Sequence, residues 1–319
     1  MSSAIIVTAE LQNIVYREFL PAVIGPERAY ESFPEMFEDQ NPTKYNPSIN
    51  PDISNEFATV AFRFGHTLIP NHLEISKFPR QRAEFINCPM KDNFYKTEDF
   101  ILGSDLSGKA WQNVLVGSSR TDNRPTDSVM NYLFCEDCGL AEGFGQDLYA
   151  RNIQRGRDHG LPGYNKFREF CDLNITSDWS DKPEEINQQT WDKMKSVYEK
   201  VEDIDPYVGG VAEEPVEGGV VGPTFAKIIQ QQFKSIMEGD RFFFAHNETM
   251  PADLRAMIRK RTLHTVMCDN IEVEELPSNL ELPSNLFNVQ SQLERCSNSD
   301  KFDFTEANNQ LNIMTYGKR

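Results

Sequence analysis

Wherever apolar residues of this chain recur with a period, the period is helical, and no run of six or more residues alternates apolar with polar. A half-buried strand needs the two-residue alternation and an amphipathic helix the 3.6-residue one, so the spacing predicts a mainly α fold. Ile5, Ile6, Ala9, Ile14, Val15, Phe19 and Leu20 predict a first helix, stopped by Pro21. After loop-like sequence over residues 40–52, Ser54 is placed to cap a second helix carrying Phe57, Val60, Ala61, Phe64, Leu68 and Ile69, ending at Pro70. Residues 74–126 read as irregular and 127–153 as mostly helical. Residues 190–202 read as a helix with Trp191, Met194 and Tyr198 on one side. Pro223 suits the first turn of a helix over 224–237, and another helix covers 251–261. Beyond Cys268 the chain reads as loop, with a loosely ordered tail from about 297 to 319.

A chain of 319 residues buries a sizeable core, and the pattern is that of one domain over 1–319. Its 49 acidic against 32 basic residues give a net charge of −17, which repels phosphate backbones and anionic lipid and argues against a nucleic-acid partner. The longest apolar candidate, residues 4–24, is interrupted by Glu10, Asn13, Arg17 and Glu18, so no membrane span is expected. The first residues, MSSAIIVTAELQNIVYREF, lack the features of a signal peptide. Six cysteines and the tripeptides Asn174-Ile-Thr and Asn247-Glu-Thr, both N-glycosylation acceptors by pattern, fit an extracellular protein instead.

Only five histidines are present. His66 lies in VAFRFGHTLIP with Arg63 three residues earlier, so imidazole and guanidinium project from adjoining positions of one helix face. Gly65 beside them leaves room for a flat group to approach the backbone. One His, one Arg and a row of Phe and Val facing one space suit the wall of a haem pocket; the ordinary alternative is a hydrogen-bonded core histidine. The run IQRGRDHGLPGYNKFREF, residues 153–170, is too polar for a core strand and too glycine-broken for a regular helix. It reads as a loop held in one shape, with Arg155, Arg157 and Asp158 as a charge cluster and Gly156, Gly160 and Gly163 supplying turns. Cys135 and Cys138 form a single CxxC, a weak signal for half a zinc site or a redox pair.

The segments IVYREFLPAVIG, AFRFGHTLI, RNIQRGRDHGLPGYN and VGPTFAKIIQQQFKSIMEGDRFFF, in this order, resemble the animal haem peroxidases, the myeloperoxidase and peroxinectin group. The resemblance runs from the first helix to about Cys296. It implies the helical fold of that family, haem b, and His66 as the proximal ligand of the iron. It also implies Asn152 as acceptor of the hydrogen bond from the proximal ring, and Arg63 and Arg155 on the haem propionates. Under it, Asp158 and His159 are not a catalytic pair but part of an internal salt-bridge network beneath the haem. His72, His246 and His264 become surface or packing residues. Cys268 and Cys296 match a family disulfide, whereas the position that usually partners Cys171 holds Lys227.

The implied reaction is oxidation of small donors or halides by hydrogen peroxide. In the family, the distal histidine, its arginine, the acidic residues that esterify the haem and the calcium loop all precede the helix with which this chain begins. The expectation is therefore a C-terminal, proximal portion, carrying neither distal catalytic residues nor the calcium site, with a missing N-terminal segment or chain as the complementary part. A secreted adhesion or scaffold module that keeps the fold without catalysis is the alternative.

Overall fold

In the computed structural model, residues 2–38, 42–76, 85–96, 122–136, 138, 145–270, 275–277, 293–298 and 301–316 are described. Their architecture is mainly α, as the periodicity predicts. Helix α1 (Ser2–Ile14) runs through a π-turn (Val15–Phe19) into α2 (Leu20–Ile24). Pro21 does not stop the helix: Leu20 N–H closes the wider turn onto Val15 O, and Pro21 falls in the first turn of α2, where no N–H is needed. The stop is Gly25, at φ 87°. Ile6, Ala9, Tyr16, Leu20, Val23 and Ile24 enter the main core, and α3 (Pro26–Ser32) and α4 (Pro34–Phe37) follow.

Ser54 caps α5 (Asn55–Thr59), its hydroxyl accepting from Phe57 N–H at 3.4 Å. The single helix expected to reach Pro70 breaks at Val60 (φ −132°, ψ −72°) and continues as a 3₁₀ helix, Ala61–Leu68. The Thr59 hydroxyl bonds back to Asn55 O at 2.6 Å, and two consecutive β-branched residues crowd the turn there. Beyond it, β1 (His72–Ser76) and β2 (Phe85–Pro89) form an antiparallel hairpin with His72 opposite Pro89 and Ser76 opposite Phe85.

The expected helix over 127–153 is two pieces, α6 (Asp127–Met130) and α7 (Leu148–Asp158). Between them Leu133 and Gln146 exchange backbone hydrogen bonds of 3.2 and 2.8 Å, and Asp147 caps α7 by accepting from Tyr149 and Ala150 N–H. The run expected as a loop is thus a helix, a tight turn and a second helix, α8 (Tyr164–Phe170). Gly156, far from breaking α7, is buried between Val60 and Pro206. Gly160 at φ 65° ends it, with Leu161 N–H on Gly156 O and Gly160 N–H on Arg157 O.

A second cluster, Tyr164, Ile186, Trp191, Met194, Val201 and Ile204, gathers under α9 (Gln188–Val197). In α10 (Pro206–Ala212) the backbone of Gly210 lies against the Phe225 ring so closely that a Cβ there would stand 2.0 Å from it. Glu213, at the end of α10, ties this layer to α8 and α11 (Pro223–Gly239). Its side chain is fully buried and accepts from Tyr164 hydroxyl (2.6 Å), Thr224 N–H (2.9 Å), Thr224 hydroxyl (2.5 Å) and Arg168 Nη1 (3.1 Å). Helices α12 (Ala252–Arg259) and α13 (Leu263–Asn270) return against α1, where Asn13 Nδ2 donates to Arg261 O at 2.8 Å.

After Cys268 the chain is not all loop. Strands β3 (Glu275–Pro277) and β4 (Leu293–Arg295) pair antiparallel, and disulfides join Cys268 to Cys296 and Cys135 to Cys138. The first is the pair that the family resemblance implies. The second takes up the two thiolates a zinc site would need. The residues expected as a loose tail include α14 (Phe304–Tyr316), which sends Ala307 and Leu311 into the core because they fall four apart on one face. Cys171 is free and buried, and burial first, then the Glu213 carboxylate, pushes its thiol up to about 12. Among the described residues no helix is long and apolar enough to cross a membrane.

Candidate functional site

The 3₁₀ geometry of Ala61–Leu68 brings Arg63 and His66 into line, because residues three apart eclipse at three residues per turn. Both side chains reach the same group across the interface with α7. His66 Nδ1 lies 3.1 Å from Asn152 Oδ1 and 2.9 Å from Asn152 Nδ2, across 86 positions of sequence. Arg63 Nη1 donates to Asn152 Oδ1 at 3.2 Å, and Arg63 Nε to Ala58 O at 3.2 Å. Asn152 is fully buried, whereas His66 and Arg63 are half-buried. The site therefore has an inner wall and an open side.

The open side has three notable properties. Gly65 has nothing within 4 Å of where a Cβ would project, so the backbone beside His66 is bare. Half-buried Arg63 and Arg155 have no carboxylate partner among the described residues. Burial first, and then the positive charges of Arg155 and Arg151, depress the Arg63 pKa. Burial also lowers the His66 pKa, the Asn152 hydrogen bond opposing this and the Arg63 charge adding to it. His66 is consequently a neutral imidazole near pH 7.

A neutral imidazole whose Nδ1 is engaged presents its other nitrogen outward, and guanidiniums without carboxylates attract acidic groups. Together they offer an N-ligand for a metal at the centre of a flat group and cations for carboxylates at its rim. Four residues singled out from sequence, His66, Arg63, Asn152 and Arg155, thus belong to one neighbourhood. Three residues of it escape sequence reading: Arg151, Tyr149 and Tyr207, the two tyrosine rings meeting edge to face at 5.5 Å between centroids. Tyr149 is three residues before Asn152 on α7, a helical neighbour that the spacing could have supplied; Tyr207 on α10 has no such signal.

The other polar residues of residues 153–170 face elsewhere. Arg157 makes a bidentate pair with Asp205 (2.8 and 2.7 Å), joined by the Tyr198 hydroxyl at 2.8 Å, and not with Asp158. Asp158 accepts from Gln154 Nε2 at 2.7 Å, while His159 Nδ1 meets Asn55 Oδ1 at 2.7 Å. The neighbours Asp158 and His159 therefore do not pair. His246 is a packing residue between Thr43 hydroxyl (2.7 Å) and Asp240 O (3.0 Å), His264 is buried near Cys268, and His72 is exposed.

The family profile described as Animal haem peroxidase matches residues 3–281. The chain is 35% identical over 269 residues to the peroxidasin homolog pxn-2 of Caenorhabditis elegans, covering 83% of this chain and 19% of that protein. It is 35% identical to the chorion peroxidase of Drosophila melanogaster, covering 83% of this chain and 32% of that one. Among solved structures, peroxidase A of Dictyostelium discoideum superposes with a TM-score of 0.68 at 30% identity, covering 83% of this chain and 47% of that chain. The chain thus spans about a fifth to a half of the length of the relatives it matches. With the family profile matched over residues 3–281 and relatives 35% identical across 83% of it, the chain belongs to the animal haem peroxidase family.

Proposed function

We propose that this chain binds haem b with His66 as the proximal ligand and works within a peroxidase that uses hydrogen peroxide to oxidise small donors or halides. The observation that carries the reading is the convergence of one engaged, neutral imidazole with guanidiniums that have no carboxylate partner among the described residues, beside a bare stretch of backbone. His66 Nε2 would hold the iron. Arg63 and Arg155 would pair with the propionates, where the planar fork of a guanidinium matches a carboxylate. Bound there, the haem supplies the redox chemistry; the residues of this chain set its orientation and the electron-donating strength of its ligand.

The Asn152 amide, by accepting from Nδ1–H, makes the imidazole a better donor at Nε2 and stops the ring from turning. Arg63 acts twice, once on the amide oxygen that orients His66 and once on the rim. Exposed Asn174 and Asn247 and the two disulfides support secretion, the compartment in which such bridges persist.

Haem titration of the purified chain tests the reading. The wild type is expected to develop a Soret band with one-to-one stoichiometry, and His66→Ala to lose it or shift it to the spectrum of unligated haem. An identical spectrum in folded His66→Ala would remove His66 from the iron.

A further inference from the structure

Outside the His66 site, two cavities of about 430 and 510 Å³ adjoin across one short segment, and both are walled by Thr43, Lys44 and Tyr45. Thr43 N–H donates to Ala245 O at 3.1 Å and Asn46 N–H to Glu238 O at 2.7 Å, which fixes the segment against α11 and the turn after it. Volumes of this size suit a small molecule. The charged lining is mixed, Lys44 and Arg241 against Glu35, Glu238 and Glu248, and half-buried Tyr45 adds an aromatic wall. The His246 ring also lines the smaller cavity, but both of its nitrogens are engaged, by the Thr43 hydroxyl and by Asp240 O. With the charges near balance and the imidazole engaged, the lining suits a neutral ligand rich in hydroxyl and amide groups rather than an anion.

Such a ligand has an attachment point in the wall of the smaller cavity. Asn247 lines it and opens the tripeptide Asn247-Glu248-Thr249, on the turn before α12. The Asn247 side chain is exposed and oriented. Arg255 Nη2 donates to Asn247 Oδ1 at 2.8 Å, while Arg255 Nη1 is anchored on Met250 O at 2.5 Å. A guanidinium can only donate, so the amide oxygen faces Arg255 and Nδ2 does not. Among the described residues Nδ2 makes no hydrogen bond. That nitrogen is the atom an N-linked glycan uses, and the oxygen stays with Arg255 once a sugar is attached. Asn174, the other acceptor by pattern, is exposed too but lines neither cavity.

We propose that Asn247 carries an N-linked glycan whose first N-acetylglucosamine sits in the cavity beside it, the apolar face of the sugar ring against Tyr45. The transfer joins Nδ2 to the anomeric carbon of an oligosaccharide held on a lipid pyrophosphate. The pyrophosphate leaves with the electron pair of the broken C–O bond, and Nδ2 gives up one proton. A tether in the cavity wall keeps the sugar at high effective concentration, so a contact too weak to capture free sugar is nevertheless occupied. The Tyr45 side chain suits this contact, with an apolar ring and a polar hydroxyl. So seated, the glycan clamps the segment around Thr43 to the turn around His246, 203 positions further along the chain. The inference rests on the secretion reading, because the donor is met in the secretory pathway, and on no property of the haem.

The test expresses the full chain behind a cleavable secretion leader in a eukaryotic host, so that it meets the glycan donor whatever its natural route. Peptide mass spectrometry after enzymatic glycan release in ¹⁸O water is expected to mark Asn247 in secreted wild type and to leave it unmarked in Thr249→Ala. A second measurement reads the seat: the rate at which peptide N-glycosidase releases the Asn247 glycan from the folded chain. In Tyr45→Ala that rate is expected to rise about threefold to tenfold, the factor one aromatic contact is worth, while release from Asn174 stays as it was. A bare Asn247 overturns the proposal, as does an unchanged release rate in folded Tyr45→Ala. Should circular dichroism show Tyr45→Ala unfolded, Tyr45→Leu, which keeps the bulk and loses the aromatic face, decides by the same rate. Bare Asn247 beside glycosylated Asn174 defeats the glycan seat alone, whereas a cytosolic location of the natural protein on cell fractionation defeats the secretion reading and the proposal with it.

Discussion

At the scale of single residues, the site is a set of constraints on one imidazole. Burial disfavours the charged ring, so the folded-state pKa of His66 lies below the ordinary value of 6.5. A depressed histidine contributes stability that is present above its unfolded pKa and is lost as pH falls through the folded one. Unfolding measured by urea at a series of pH values should accordingly show a loss that begins below about pH 6.5 and is diminished in His66→Phe. The loss is modest because the ring is half exposed. An equal slope in both chains would place the acid sensitivity elsewhere. His66, Arg63, Asn152 and Arg155 were legible in the sequence because each sits in a dense motif. Tyr207 was not, since what makes it part of the site is a contact between α7 and α10 that no local pattern encodes.

At the scale of elements, the sequence misled where hydrogen-bond register, not side-chain pattern, makes the structure. The 3₁₀ segment and the π-turn keep an apolar face much like that of an α-helix, so periodicity does not distinguish them. The C-terminal half of helix α7, residues 153–158, reads as loop because Gly156 and its charges lower local propensity. Tertiary contact overrode it: a cap at Asp147, burial of Gly156 against Val60 and Pro206, and the Arg157–Asp205 pair. The junction of α8, α10 and α11 depends on the buried Arg168–Glu213 pair. Arg168→Met leaves the Glu213 charge without its cation and is expected to cost about 3–5 kcal/mol. Chemical denaturation reads this, and adding Glu213→Gln should recover part of the loss; a single variant as stable as wild type would show the pair to be dispensable.

At the scale of the whole molecule, the mainly α class was readable from the missing alternation, and the family from four ordered motifs. The chain's ends were harder. Loop-like composition after Cys268 concealed α14, whose burial of Ala307 and Leu311 depends on the surface made by α1 and α12. The Cys268–Cys296 bridge, with a sequence separation of 28, tethers this return. Replacing both cysteines by serine should lower stability by roughly 3–4 kcal/mol in the chain-entropy account, seen as a lower melting temperature that reductant, left only the Cys135–Cys138 bridge to open, changes less than it does in wild type. If reductant lowers the melting temperature of that double variant as much as it does wild type, the bridge is not its cause.

The π-turn at Val15–Phe19 has a consequence for how this chain tolerates changes of length. It accommodates one residue more than a regular helix would between the same hydrogen-bonded ends. Deleting any one of those five residues would let the segment close toward uninterrupted α-helix, save at Pro21, which would then sit inside it with no N–H to donate. The cost would appear upstream, along α1, which would rotate by about 100° about its axis, turning Ile6, Ala9 and Asn13 out of the core and exposed Val7 and Leu11 toward it. Point changes along α1 are judged one side chain at a time, whereas a single lost codon there would misaddress the whole face.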